Sequence, residues 1–200
     1  MLNRFLFFVF LVVILVSCTG NHQKEKKAII KNNMDFPSWE KQNFYYVDYR
    51  IPTFFRKDEC YSNFTLNKDH AINYCSYQLE TYFSVEKISE EKATDYQYLN
   101  NGANLNLAIL EEYGRRILKN AYGRMSLPFR IKGKQTFNCV VVSTNSSGGY
   151  LGDEIRDYGS YYYIGVTKKS GEYYAFQLIG SHGMMGFLFD DFKKILYTVK

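Results

Sequence analysis

Between Met125 and Ile179 the chain reads as four strands joined in pairs. Met125–Ile131 and Gln135–Ser143 flank Lys132-Gly133-Lys134, and Tyr161–Thr167 and Tyr173–Ile179 flank Lys169-Ser170-Gly171. Short turns built on glycine, set between alternating strands, join antiparallel neighbours. Parallel neighbours would need a crossover of roughly a dozen residues or more, and neither turn has room for one. This half of the chain is therefore committed to an antiparallel sheet.

The rest of the pattern supplies what covers that sheet. Phe44–Ile51 reads as a strand with Tyr45, Val47, Tyr49 and Ile51 on one face, closed by Pro52. Tyr61–Leu66 reads as a short strand. Cys75–Val85 alternates strictly, with Cys75, Tyr77, Leu79, Thr81, Phe83 and Val85 sharing one face. Ser89 stands where it can cap a short helix reaching Tyr98. A stronger helix spans Asn104–Ala121. Leu107, Leu110, Gly114, Ile117, Leu118 and Ala121 recur at steps of three and four, and Gly123 follows as a stop. The last helix, Met184–Val199, puts Leu188, Phe192, Ile195, Leu196 and Val199 on one stripe, with Asp190, Asp191, Lys193 and Lys194 off it. Strands, helix, four strands and helix make an α+β class, a mostly antiparallel sheet flanked by helices.

The ending Tyr173-Tyr174-Ala175-Phe176-Gln177, a short gap, then Phe192-Lys193-Lys194-Ile195-Leu196 resembles the PsbP and Mog1 family. Members end with an aromatic-rich strand and then a helix of this kind. The resemblance covers about residues 40–200. It implies an α-β-α sandwich that acts as a binding or assembly module rather than an enzyme. No functional residue carries over from it.

The N-terminus gives an address. After Arg4, Phe5–Val16 holds no polar residue, as in a secretory signal peptide. The run is shorter than the roughly twenty apolar residues a spanning helix needs. Leu15-Val16-Ser17-Cys18 resembles the lipobox of bacterial lipoproteins. That resemblance implies cleavage before Cys18, a diacylglycerol on its thiol and an acylated amine. Two or three acyl chains anchor a protein stably to a membrane. Thr19, in place of an aspartate, implies the outer membrane, and the absence of an acid from Thr19 to Gln23 implies that the protein faces the periplasm. Residues 1–17 are then signal peptide, and 18–38 the lipidated terminus with a lysine-rich polar tether. Residues 39–200 form one α+β domain.

Motifs of chemistry are sparse. The three other cysteines are Cys60, Cys75 and Cys139. An oxidising compartment permits a disulfide, with Cys60–Cys75 the preferred pair if one forms. Buried free cysteines are the competing reading for Cys75 and Cys139. Cys60, His70 and Cys75 match no zinc-knuckle spacing, so no metal and no cofactor is expected. His182 beside Ser181 is not a catalytic dyad, because adjacent side chains diverge. The Asn145–Gly152 loop is rich in glycine and serine. It lacks a lysine and is followed by Asp153, Glu154 and Asp157, which would repel phosphate.

Charge offers a surface candidate. The whole chain carries +5, yet Tyr113–Gly152 holds seven basic residues and no acid. They are Arg115, Arg116, Lys119, Arg124, Arg130, Lys132 and Lys134. Such asymmetry gives one region a positive potential. The expected partners are the membrane, through the anchor, and an envelope protein or an anionic envelope component. Nucleic acid is not expected outside the cytoplasm. The sequence thus reads as a non-enzymatic, lipid-anchored envelope protein with a binding domain. Two alternatives remain open at this point. One is a glycan-binding lipoprotein that uses exposed tyrosines of Tyr161-Tyr162-Tyr163 and Tyr173-Tyr174. The other is an envelope hydrolase built on His70 or His182 with acids or Cys60.

Overall fold

A computed structural model describes residues 38–57, 65–76, 80–100, 104–119, 121–145, 159–181 and 185–200. The expected signal peptide, Cys18, nearly all of the tether, Cys60, His182 and the acids 153, 154 and 157 lie outside the described residues. Trp39–Lys200 forms one compact unit.

Its strands are β1 (Trp39–Phe44), β2 (Val47–Pro52), β3 (Arg56–Lys57), β4 (Ala71–Ser76) and β5 (Thr81–Ile88). Helices α1 (Glu90–Asn100) and α2 (Leu105–Leu118) follow. Then come β6 (Tyr122–Met125), β7 (Phe129–Lys132), β8 (Thr136–Asn145), β9 (Ser160–Lys169), β10 (Glu172–Ser181) and α3 (Met185–Thr198). An eight-stranded sheet runs β3-β4-β5-β10-β9-β8, with β6 and β7 both paired to β8 at the edge. β1 and β2 make a separate hairpin. Every described pairing is antiparallel.

Local chemistry accounts for the elements. Ser89 Oγ accepts the Lys92 N–H at 3.3 Å and opens α1. Asn104 Oδ1 accepts the Leu107 N–H at 3.0 Å and opens α2. Between β9 and β10, Ser170 (φ 52) and Gly171 (φ 85) both lie in the left-handed region. That is what a two-residue hairpin turn with the sheet's own twist requires.

The sheet is covered on both faces. On one, Ala108, Ile109, Tyr113 and Ile117 of α2 pack with Val140, Val142, Ile164, Val166 and Ala175. On the other, Phe192 and Leu196 of α3 press on Gly165, beside Cys139. Tyr49 of β2 meets Phe176 edge-on at 5.6 Å on that side too. The β1–β2 hairpin thus extends the layer that α3 begins.

Four expectations change. Tyr45 is not a strand residue. It turns the β1–β2 hairpin at φ 53 and is exposed, while Val47, Tyr49 and Ile51 are buried as expected. The long alternation at Cys75–Val85 is two paired strands, with Ser76 opposite Thr81 and Cys75 opposite Tyr82. Cys75 therefore shares a face with Tyr82 and not with Phe83. Gly123 is not a helix stop but a residue of β6, and α2 ends at Leu118. Asp191 was expected off the apolar stripe of α3 and is instead 4% exposed. It sits three residues after Leu188 and four before Ile195, on the stripe's margin.

Candidate interaction surface

The seven basic residues separate into two groups once their neighbours are known. Arg115 and Arg116 follow Glu112 by one helical turn, so all three side chains lie together on α2. Glu112 is buried. It accepts Arg115 Nε at 2.8 Å, Arg115 Nη2 at 2.6 Å and Arg116 Nε at 2.7 Å. Burial pushes this carboxyl up, but the two guanidinium groups outweigh it and hold it below the usual carboxylate range. These two arginines hold one internal acid, which offsets one of their two charges.

A second internal acid lies nearby on β5. The carboxylate of Glu86, fully buried, accepts Leu66 N–H at 3.2 Å, Asn67 N–H at 2.7 Å and Gln177 Nε2 at 3.2 Å. Burial raises its pKa to about 7 against the pull of these donors and of Arg116. Its role in the fold is to fasten the Leu66–Asn67 backbone to the sheet. The alternation reading stopped at Val85 and missed it. With both faces of the sheet covered, a polar residue on either parity becomes buried.

The remaining five cations belong to the edge strands and the segments that adjoin them. Lys119 follows α2, Arg124 is on β6, Arg130 and Lys132 are on β7, and Lys134 lies in the turn to β8. Among the described residues no carboxylate forms an ion pair with any of them. Arg130 Nε donates to Asn138 Oδ1 at 3.3 Å. The Lys134 ammonium is held below its ordinary range by Lys200 and, further down, Arg50, both like charges. The edge is thus more basic than the sequence stretch alone implies, because Lys200 and Arg50 join its lower end.

Register places these charges on both sides of the sheet plane. Arg124 stands opposite Ser143, on the α3 side. Arg130 and Lys132 stand opposite Asn138 and Thr136, on the α2 side. Between β6 and β7 the register slips by one, so that Ser126-Leu127-Pro128 forms a bulge. Ser126 keeps the edge attached, donating its N–H to Val141 O at 2.8 Å and accepting Val141 N–H on its Oγ at 3.0 Å. Leu127 on the bulge is 87% exposed, and Tyr122 at the start of β6 is 78% exposed.

Most of the tyrosine strip is not a surface. β9 and β10 are central strands, and Tyr162, Tyr163, Tyr173 and Tyr174 are buried, while Tyr161 is half-buried and stacks on Tyr163. The glycan reading loses four of the five residues it rested on. His70, the described histidine of the hydrolase reading, is exposed and bonds Tyr45 Oη through Nδ1 at 2.8 Å. Cys75 is disulfide-bonded and Cys139 is a buried free thiol. Among the described residues no group of His, Cys, Asp and Glu is placed to hold a metal ion.

The fold is that of the Mog1 and PsbP proteins. The Ran-binding protein Mog1p of Saccharomyces cerevisiae superposes with a TM-score of 0.53 at 6% identity, over 82% of this chain and 96% of that one. CyanoP, the cyanobacterial PsbP of Synechocystis, superposes at 0.56 and 9% identity, over 82% and 93%. At such identities the likeness is one of fold. No family model and no curated protein matches the chain.

Proposed function

We propose that this chain is a non-enzymatic, lipid-anchored protein of the bacterial envelope, whose α+β domain binds or assembles with a protein partner at the β6–β7 edge. The observation that carries the reading is the set of five cations, Lys119 to Lys134, at one edge of the sheet, which among the described residues form no ion pair with a carboxylate. Unpaired like charges raise a potential that steers and orients an oppositely charged partner. A partner role for a domain of this fold has a precedent in Mog1p, described as Ran-binding. The lipobox-like Leu15–Cys18 supports anchoring through Cys18, Thr19 supports the outer membrane, and the absence of an acid from Thr19 to Gln23 supports the periplasmic side.

Two experiments test the proposal. Palmitate labelling of the wild type should vanish in Cys18→Ala, and persistent labelling would place the anchor elsewhere. In-cell crosslinking with mass spectrometry should capture a protein partner. The double variant Arg124→Glu, Arg130→Glu should lose that capture by tenfold or more. Undiminished capture would move the partner off this edge.

A further inference from the structure

The distribution of the five cations says more than their sum. Arg124 projects to the α3 side of the sheet, and Arg130 and Lys132 to the α2 side. A folded surface pressed against either face would meet only part of this charge. A chain lying in the sheet plane, along the edge, would have cations above and below it. The edge also offers main-chain groups. Ser126 N–H points inward to Val141 O. Antiparallel ladders alternate, so the N–H and C=O of Met125 and Gly123 point outward, away from β8. Beyond the bulge the pattern changes, because Pro128 has no N–H to offer.

We infer that the β6–β7 edge binds an extended acidic segment of the partner, paired strand-to-strand with β6 and flanked by the Arg124, Arg130 and Lys132 charges. This rests on the reading of the edge as the partner-binding surface and names the shape and charge of what it takes. Adding a strand gives affinity through main-chain hydrogen bonds, and side chains set the specificity. Pairing is confined to Tyr122–Met125, four residues. Acids further along the segment reach the β7 cations. Tyr122 and Leu127 give apolar contact at the two ends of the paired stretch. A second copy of this chain is the wrong occupant, since edge-to-edge pairing would oppose two rows of like charge.

The test uses the full-length protein and two synthetic ten-residue peptides. One alternates glutamate with valine or threonine. The other has the same charge but proline at alternate positions, so that it cannot pair. The alternating peptide should bind at least tenfold more tightly by fluorescence anisotropy. It should slow hydrogen exchange of the Met125 amide at least tenfold, an effect read in the wild-type protein with no substitution needed. Equal binding of both peptides, or an unprotected Met125 amide in the bound state, would overturn strand addition. A concentration-dependent dimer with Met125 protected in the absence of peptide would overturn it too, in favour of self-pairing. The two levels fail separately. If Arg124→Glu, Arg130→Glu abolishes partner capture while Met125 stays unprotected, the edge remains the surface and only the strand geometry falls. If the variant captures the partner normally, the surface itself falls.

Discussion

Glu86 and Asp191 are acids the fold encloses without fully replacing their hydration. Glu86 has three N–H donors, whereas Asp191 has Lys194 at 3.9 Å and Oδ1 without a hydrogen bond. Burial raises each to about 7, with Asp190 adding to the effect on Asp191 and Lys194 opposing it. In the unfolded chain both titrate near ordinary carboxyl values. From about pH 4.5 to 7 the native state therefore holds protons that the unfolded state has released. Native stability then falls as pH rises through that window. For Glu86 alone the loss is on the order of 3 kcal/mol. Glu112 acts in the opposite sense and at lower pH, because its folded value is depressed. Urea denaturation should give a midpoint higher at pH 5 than at pH 8, and Glu86→Gln should flatten the slope. A midpoint that rises steadily from pH 5 to 8 would refute the assignment. Cys139 gives a second check at this scale. Burial pushes its thiol up to about 12, despite a backbone hydrogen bond to Ile131 that pulls it down. Without thiolate it is unreactive. Iodoacetamide at pH 8 should alkylate it only in denaturant, and fast alkylation of the native protein would contradict its burial.

At the scale of elements, β6 depends on a glycine for a reason of space. A Cβ at Gly123 would lie 2.1 Å from the Ser143 carbonyl oxygen and 2.9 Å from Leu118 Cδ2. The first is backbone of the adjacent strand and cannot swing aside. Gly123→Ala should therefore destabilise by about 1–3 kcal/mol, as overpacking does. A thermal midpoint unchanged by this substitution would show that β6 shifts freely on β8. The sequence contained the glycine but not its reason, since a glycine after a helical stripe also reads as a stop. The legible parts were those with one dominant period. α2 and α3 showed their stripes, and the turn at Ser170-Gly171 showed its residues. What was hidden depended on partners distant in sequence. Tyr45 looked like part of an alternating strand until the pairing of Asn43 with Asp48 put it in a turn. The β4–β5 hairpin kept an alternation that ran unbroken through it. The pairing of Arg115 and Arg116 with Glu112 is legible in principle, because Glu112 precedes them by three and four. It lies one residue outside the acid-free stretch, Tyr113–Gly152. The bulge, by contrast, was marked by Pro128.

For the molecule as a whole, the two cores described are built from residues of Trp39–Lys200. The α2 side closes with Ile109, Tyr113, Val140 and Ile164, and the α3 side with Phe137, Phe176, Phe192 and Leu196. All of these lie within Trp39–Lys200, itself one compact unit. The last residues are tied in as well: Asp48 and Lys200 exchange two backbone hydrogen bonds, and Arg50 N–H donates to Thr198 Oγ1 at 2.8 Å. Lys169 Nζ donates to both Tyr46 O and Lys200 O, joining the β9–β10 hairpin to the β1–β2 hairpin and the end of α3. β2 begins only eight residues after residue 39, so Trp39 is the last position at which a cut spares the β1–β2 hairpin. A fragment of residues 39–200 should unfold cooperatively, within about 1 kcal/mol of a chain that begins at residue 19. A fragment beginning at Val47 should be less stable by several times that. It keeps β2 but loses β1, the strand that β2 pairs with, so Val47, Tyr49 and Ile51 stand on a strand without its ladder. Equal stability of the two fragments would mean that the hairpin is not part of the α3 layer. A large loss on removing residues 19–38 would mean that the tether packs as structure and does not merely link domain and anchor.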